Sequence, residues 1–409
     1  MKVCVVGSGG REHALAHVLA RTASSVVVTP GNPGIPGSVP TPPEEIDADL
    51  FVIGPEAPLV DGMADRLRAQ GKLVFGPGAD GARLEGSKAW MKQVLVDAGV
   101  PTAAYGTFSA DEERAALDFL GSMAGPYVVK TDGLAAGKGV VVTESFDEAR
   151  NAVIAYLSGS AFGAAGQRLV IEEFLDGPEL SILAVCDGRR AVALAPAQDF
   201  KRIGDGDAGP NTGGMGAYTP VPFAGPDVVD EVMHAAVEPT LAALRDRGID
   251  YRGVLYAGLV LTADGPKMLE YNVRFGDPET QVVLPRLSSD LVELLAQAAA
   301  GEMTATPTFV EDAFVTVVCA AEHYPSAPRT GDVIEGMDAA EATGASVFCA
   351  GVTADDEGRL VTAGGRVLAV TGSGPTIGAA RDAAYAAVDC ISWPGMQRRT
   401  DIARRAAGQ

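Results

Sequence analysis

The first 86 residues repeat one pattern. A short apolar run ends in a loop of glycine and proline. Lys2–Val6 leads to Gly7-Ser8-Gly9-Gly10, Val26–Thr29 to Pro30-Gly31-Asn32, Leu50–Ile53 to Gly54-Pro55-Glu56, and Leu73–Phe75 to Gly76-Pro77-Gly78. After the first loop, Ala14, Leu15, Val18 and Leu19 recur at helical spacing. Fully apolar short runs alternating with helices predict an α/β domain with a doubly wound parallel sheet. Its ligand loops lie at the carboxyl ends of the strands.

The first loop is not a dinucleotide site. The third glycine of that fingerprint falls on Glu12, and the acid expected after the second strand is replaced by Thr29-Pro30. A phosphate or sugar on the Gly9 and Gly10 amides at the helix start is the expected ligand; a bare strand–helix turn would use the same residues.

Several function classes are excluded on composition. The 409 residues carry a formal charge of −21, which argues against nonspecific binding to nucleic acid or anionic membrane. No apolar run is long enough to span a bilayer. The N-terminus lacks the basic and apolar regions of a signal peptide. The five cysteines are dispersed and form no CxxC pair, so they are expected to be buried, unpaired thiols in a cytoplasmic protein.

Chemistry concentrates in Leu269-Glu270-Tyr271-Asn272-Val273-Arg274-Phe275-Gly276-Asp277-Pro278-Glu279. On a strand Glu270, Asn272 and Arg274 share a face. Glu and Asn offer hard oxygens to a Mg²⁺ that keeps waters and nucleotide phosphates, and an Arg beside them can stabilise a transferring phosphoryl group. A solvated polar face would show the same spacing. Three other segments favour the site.

Tyr127-Val128-Val129-Lys130 and Val140–Thr143 flank a glycine-rich loop, Thr131 to Gly139. Lys138 is not followed by Ser or Thr and a strand comes next, so this is a hairpin flap and not a Walker A loop. Lys130 would reach the phosphates beneath it. In Ile171-Glu172-Glu173-Phe174-Leu175, Glu172 can accept from an exocyclic amine and the backbone of Phe174 and Leu175 can pair with a base. Glu179 can take ribose hydroxyls. Gln198 to Tyr218 is a long polar loop containing Asp199, Lys201 and Gly214, of the kind that carries function.

Together these segments resemble the ATP-grasp superfamily. Within it, Gly9-Gly10-Arg11-Glu12-His13-Ala14, Leu84-Glu85-Gly86-Ser87-Lys88, Pro210 to Tyr218 and Arg274 to Gln281 resemble the glycinamide ribonucleotide synthetase family. The resemblance runs in order over essentially the whole chain. It implies an ATP-grasp fold at 87–310, with a flap subdomain near 122–187. A Rossmann-like domain at 1–86 would precede it and a small α/β domain at 311–409 would follow.

The resemblance further implies ligation of glycine to 5-phosphoribosylamine, with ATP as co-substrate and Mg²⁺ or Mn²⁺ on Glu270 and Asn272. Another carboxylate–amine ligase of the superfamily is the alternative. Arg274 and Lys130 are the expected catalytic residues. Lys88, Lys130, Gly137, Glu172, Phe174, Leu175 and Glu179 would bind ATP. Gly9, Gly10, Glu56, Asp199, Lys201, Gly214, Arg274, Asp277 and Arg366 would bind the other substrates. The expected partners are small molecules, with no nucleic acid and no membrane, and the chain a monomer or small homo-oligomer. Phe200 stands where many relatives carry His, and the strand Leu255–Leu261 lacks a metal carboxylate found in other ATP-grasp enzymes. His13 is read as packing or a sugar contact. Glu270→Ala or Arg274→Ala is expected to abolish turnover and leave the fold intact.

Overall fold

The structure is a computed structural model that describes residues 1–133, 139–159 and 168–408. The N-terminal sheet is parallel, in the order Ser25–Pro30, Lys2–Gly7, Leu50–Ile53, Val74–Phe75. The order reverses between Lys2–Gly7 and Leu50–Ile53, so the loops following them, with Ser8-Gly9 and Pro55-Glu56, open at the switch point. The doubly wound expectation holds. Helix Gly10–Leu19 buries Ala14, Leu15, Val18 and Leu19.

Helix Lys88–Asp97 begins where Ser87 Oγ accepts from the Trp90 amide, and the chain turns at Gly99 with φ +69°. An antiparallel sheet follows, ordered Tyr105–Ser109, Arg168–Glu173, Tyr127–Thr131, Val140–Thr143. Helices Glu113–Ser122 and Phe146–Leu157 cover it through a core of its own, including Leu120, Val129, Val153 and Ile171. The hairpin flap is therefore part of a four-stranded layer that starts at Tyr105. Gly137 and Lys138 lie outside the described residues.

A second antiparallel sheet runs Ala191–Ala193, Glu179–Asp187, Arg252–Thr262, Gly265–Asn272. A third runs Gln198–Asp199, Gly216–Thr219, Ala313–Ala320, Arg366–Gly374, Ser346–Cys349, backed by helix Ile377–Val388. The C-terminal part is thus joined to the body by strand pairing, Gly216 opposite Val317 through Thr219 opposite Phe314, and not by side-chain packing alone. One continuous core unites these sheets with the N-terminal one.

His13 is packing: its Nδ1 accepts from the Cys349 amide at 2.9 Å, its ring meets Phe348 edge-on, and burial pushes its pKa down to about 4. All five cysteines are unpaired. Four are buried as expected, but Cys390 is exposed at the end of the last helix. No helix among the described residues is long and apolar enough to cross a membrane.

Candidate active site

A cleft of about 1750 Å³ opens where the three antiparallel sheets meet the N-terminal switch point. Lys88, Lys130, Glu172, Phe174, Leu175, Glu179, Asp199, Lys201, Glu270, Asn272, Arg274, Glu56, Asp277 and Arg366 all line it. Residues expected to act together, some from their spacing and others from the family resemblance, therefore border one volume.

At one end sit the lysines. Val128 pairs with Glu172 and Lys130 with Val170, so Lys130 and Glu172 are diagonal neighbours on one face. Lys130 Nζ donates to Glu172 Oε2 at 2.9 Å. Lys92, fully buried, brings its Nζ within 3.2 Å of Glu172 Oε1 and donates to Thr102 Oγ1 at 2.7 Å. Burial pushes the Lys92 pKa down to about 8, against the pull of Glu172. Both oxygens of Glu172 thus face ammonium groups. The carboxylate, expected to accept from an exocyclic amine, is 1% exposed and is here the counter-ion of two lysines. Lys88 donates to the Gly133 carbonyl at 3.2 Å, and Phe174 is exposed at the hinge while Leu175 is buried against Ala103 and Val260.

The floor is strand Gly265–Asn272. Glu270 pairs with Gly258 and Met268 with Leu259, so Leu269 is an extra residue in the ladder. This bulge breaks the alternation. Met268 and Tyr271 are both buried, and Glu270 and Asn272 turn to the cleft. Burial pushes the Glu270 carboxyl up, but Lys130, Lys201, Lys88 and Arg274 outweigh it and hold it below its ordinary value.

Arg274, two residues past the strand, is held on three sides. Nη2 donates to Asn272 Oδ1 and Glu85 Oε1, both at 3.0 Å, and Nε to Glu56 Oε2 at 3.2 Å. Glu85 also accepts from the Val273 amide at 2.8 Å. Burial pushes the Glu85 carboxyl up despite Arg274. For Glu56 burial also acts upward, but Arg274 and Arg11 prevail and its pKa is lowered.

These groups suit a divalent ion that arrives with a nucleotide. Glu270 is an ionised hard-oxygen donor next to the amide oxygen of Asn272, and no group of three or more His, Cys, Asp or Glu among the described residues could cage a metal alone. Mg²⁺ is bound in this way, by one or two protein oxygens with phosphates and water completing the shell.

The far wall is acidic. Lys201 Nζ donates to Glu179 Oε2. Burial raises the Asp199 pKa to about 7, with Lys201 opposing and Glu279 and Glu179 adding to the rise. Buried Glu279 accepts from Tyr256 Oη at 2.5 Å, and Tyr256 bonds Ser181 Oγ at 2.8 Å. Glu179, expected on ribose hydroxyls, is here the partner of Lys201.

Three other expected contact sites are engaged within the chain itself. The Gly9 amide donates to Glu12 Oε2 at 2.6 Å, so the anion at that helix start is the chain's own carboxylate. A Cβ at Gly7 would come within 2.5 Å of Glu12, and one at Gly54 within 2.0 Å, which is why both strand ends are glycine. Gly9 and Gly10 do not line the cleft. Gly214 does not either: its φ is +110° and a Cβ would meet Pro278 at 2.5 Å, so it is a packing glycine. Arg366 lines the cleft, but donates to the carbonyls of Gly213 and Asp277 and pairs with Asp277 Oδ2 at 3.1 Å. It ties the glycine loop to the Asp277 turn.

Family models for phosphoribosylglycinamide synthetase match the chain in order: the N domain at residues 1–85, the ATP-grasp (A) domain at 86–280 and the C domain at 314–405. The chain belongs to the phosphoribosylglycinamide synthetase family. It is 49% identical to the phosphoribosylamine–glycine ligase of Streptomyces coelicolor, with all of both chains covered. The crystal structure of phosphoribosylamine–glycine ligase from Thermotoga maritima superimposes with a TM-score of 0.85 at 36% identity, covering 98% of this chain and 100% of that one. The biotin carboxylase domain of Hydrogenobacter thermophilus 2-oxoglutarate carboxylase, solved with ADP magnesium salt and bicarbonate, has a TM-score of 0.72 at 17% identity, covering 97% and 91%. That likeness is one of fold, the ATP-grasp fold.

In this synthetase-family cleft, sequence reasoning gave no role to Lys92, Glu85, Glu279 or Glu12. Lys92 was within reach of it, since positions 88, 91, 92 and 95 share a helix face. The face that brings Lys88 to the cleft brings Lys92. Glu85 and Glu279 lie within recognised motifs, but no local spacing predicts partners 189 and 23 positions away.

Proposed function

We propose that the chain joins glycine to 5-phosphoribosylamine at the expense of ATP, giving glycinamide ribonucleotide, ADP and phosphate, a step of purine biosynthesis. The observation that carries this reading is one cleft, in a member of this family, lined at once by Lys130, Glu270, Arg274 and Asp199. ATP lies with its base at the hinge of Phe174 and Leu175 and its phosphates toward Lys88 and Lys130, under the flap that includes Gly137. Glu179 exchanges Lys201 for the ribose hydroxyls. A Mg²⁺ or Mn²⁺ held by Glu270 and Asn272 would draw off phosphate charge.

A glycine carboxylate oxygen attacks the γ-phosphorus, the bond to the bridging β-oxygen breaks and ADP leaves. Arg274 is already aimed by Glu56, Glu85 and Asn272, so it meets the developing charge with little reorganisation. The amine of phosphoribosylamine then attacks the carbonyl carbon of glycyl phosphate, phosphate departs and the nitrogen loses a proton. Asp199 suits the glycine ammonium and Lys201 its carboxylate. Glu56 and Asp277, with Gly10 and the Arg366-braced loop behind them, face the ribosylamine. Water must be kept out because an acyl phosphate hydrolyses. The reaction needs no protein nucleophile. Unpaired cysteines agree with a cytoplasmic setting.

The test is ADP release with Mg²⁺, ATP, glycine and phosphoribosylamine generated in situ, omitting one component at a time. Release that requires both glycine and the ribosylamine is expected. Release with neither, or only with another acid such as bicarbonate, would overturn the substrate assignment in favour of a different ATP-grasp ligase.

A further inference from the structure

Asp199 and Lys201 are displayed by a weak element. Strand Gln198–Asp199 has two residues and lies at the edge of its sheet, opposite Tyr218 and Ala217; backbone bonds continue it, Phe200 with Gly216 and Met215 and Lys201 with Thr212. Beyond it, Arg202–Gly204 and Ala208–Asn211 form a separate two-stranded hairpin. A two-stranded hairpin of this length is marginal on its own.

The hold comes from about 200 residues downstream. Arg399 is 1% exposed and every face of its guanidinium is engaged. Nε and Nη2 donate to the two carboxylate oxygens of Asp401, each at 2.7 Å. Nη1 donates to Asp207 Oδ1 at 2.7 Å and to the Arg202 carbonyl at 3.2 Å. The plane lies over the ring of Phe200, 5.0 Å from its centroid. Asp401 in turn accepts from the Gly206 amide at 2.8 Å, and the Thr400 amide donates to Asp205 Oδ1 at 2.8 Å.

The segment bearing Arg399 is itself firmly anchored. Gln397 pairs with Ala320 of the third sheet, Tyr385 Oη donates to the Arg399 carbonyl at 2.9 Å, and Arg381 donates to the Ile402 carbonyl at 3.0 Å. Phe200 sits between Asp199 and Lys201, and it borders the cleft as they do, with Arg399, Asp207 and Asp401 beside it. Arg399 therefore grips, through Phe200, the segment that carries Asp199 and Lys201 along the cleft wall.

We propose that Arg399 is a positioning residue for glycine: acting through Phe200 and the Arg202–Asn211 hairpin, it sets the aim of Asp199 and Lys201. This rests on the proposed function, in which those two side chains take glycine. Among the described residues the clasp makes no hydrogen bond to Lys88, Lys130, Phe174 or Leu175; its link to the ATP side runs through Lys201 to Glu179, so the effect on glycine should exceed that on ATP. A bidentate and stacked guanidinium is not replaceable by an ammonium.

The test uses the full chain and the ADP-release assay, with KM for glycine and for ATP determined separately. Arg399→Met should raise the glycine KM about 10- to 100-fold and leave the ATP KM within about twofold, with Arg399→Lys between. Asp207→Asn removes an exposed partner without emptying a buried site and should raise the glycine KM about threefold. It carries the test if Arg399→Met does not fold. Unchanged glycine KM in folded variants, or a parallel rise for ATP, overturns the inference. A wild type that releases ADP without glycine overturns the proposed reaction and this inference with it. A glycine-dependent wild type with indifferent variants overturns this inference alone.

Discussion

At the lysine end of the cleft Lys92 and Lys130 share one carboxylate, Glu172, and Lys88 adds a third ammonium whose hydrogen-bond partner among the described residues is a carbonyl. At the arginine end the ratio is inverted, with one guanidinium, Arg274, between Glu56 and Glu85. The first end has surplus positive charge and gains by receiving a polyphosphate. The second is compensated before any ligand arrives, so its arginine is fixed in aim. Surplus cations serve binding, and a compensated cation serves geometry.

The contrast is sharpest in Arg274→Met. Losing the group that meets phosphoryl charge should lower kcat about 10³-fold or more. The same change strips Glu85 of its counter-ion. Breaking a pair this buried costs about 3 kcal/mol, so the variant should also unfold at lower denaturant. That departs from the expectation, drawn from sequence, that the fold would be untouched. Adding Glu85→Gln should restore much of the stability and none of the turnover. Wild-type stability in the single variant would mean that the pair does not brace the site.

Lys130→Met tests the other end and should separate the two effects. Glu172 keeps Lys92, so the stability loss should stay near 1 kcal/mol or less. A lysine–phosphate contact is worth up to about 4 kcal/mol at an effective dielectric near 20, and partial desolvation leaves about a 10²-fold rise in ATP KM. If Lys130→Met instead unfolds the chain with ATP affinity intact, Lys130 is a structural ion like Arg274's partners and the contrast between the two ends disappears.

The same contrast explains what was readable from sequence. The parallel N-terminal sheet was legible because each strand and its loop announce themselves locally, in Val3–Val6 with Gly7 and in Leu50–Ile53 with Gly54. Glu270 and Asn272 were legible because strand period turns them to one face, and Lys130 because its strand leads into a glycine-rich hairpin loop. The bulge at Leu269 was not, since it depends on the register with Gly258. Counter-ions were legible least of all. Glu172 was read as a base acceptor because its sequence neighbours do not reveal Lys92, brought there by a helix 80 positions upstream. Gly9 was read as donating its amide to a phosphate, although Glu12, three positions on, stands where a capping-box acid takes the cap residue's amide. Charge compensation is tertiary, and a linear pattern reports only which charges exist.

The smallest expected effect lies on the acidic wall, where compensation is incomplete. Burial raises Asp199 from its ordinary 3.8 to about 7, with Lys201 pulling down and Glu279 and Glu179 pushing up. Between about pH 4 and pH 7 the folded protein therefore keeps a proton that the unfolded chain has released. The stability this proton contributes is complete below the unfolded pKa and is lost as pH rises through the folded one. Activity should run the opposite way. An ammonium is held by the ionised carboxylate, so kcat/KM for glycine should climb about tenfold from roughly pH 6 to pH 8 and level off above it. Glycine's own groups titrate outside that window. In Asp199→Asn the climb should vanish and the acid-side stability profile should flatten with it, measured by denaturant unfolding at each pH. A wild-type glycine profile that is flat across neutrality would remove Asp199 from the ammonium site and leave the acidic wall as a purely structural network around Tyr256.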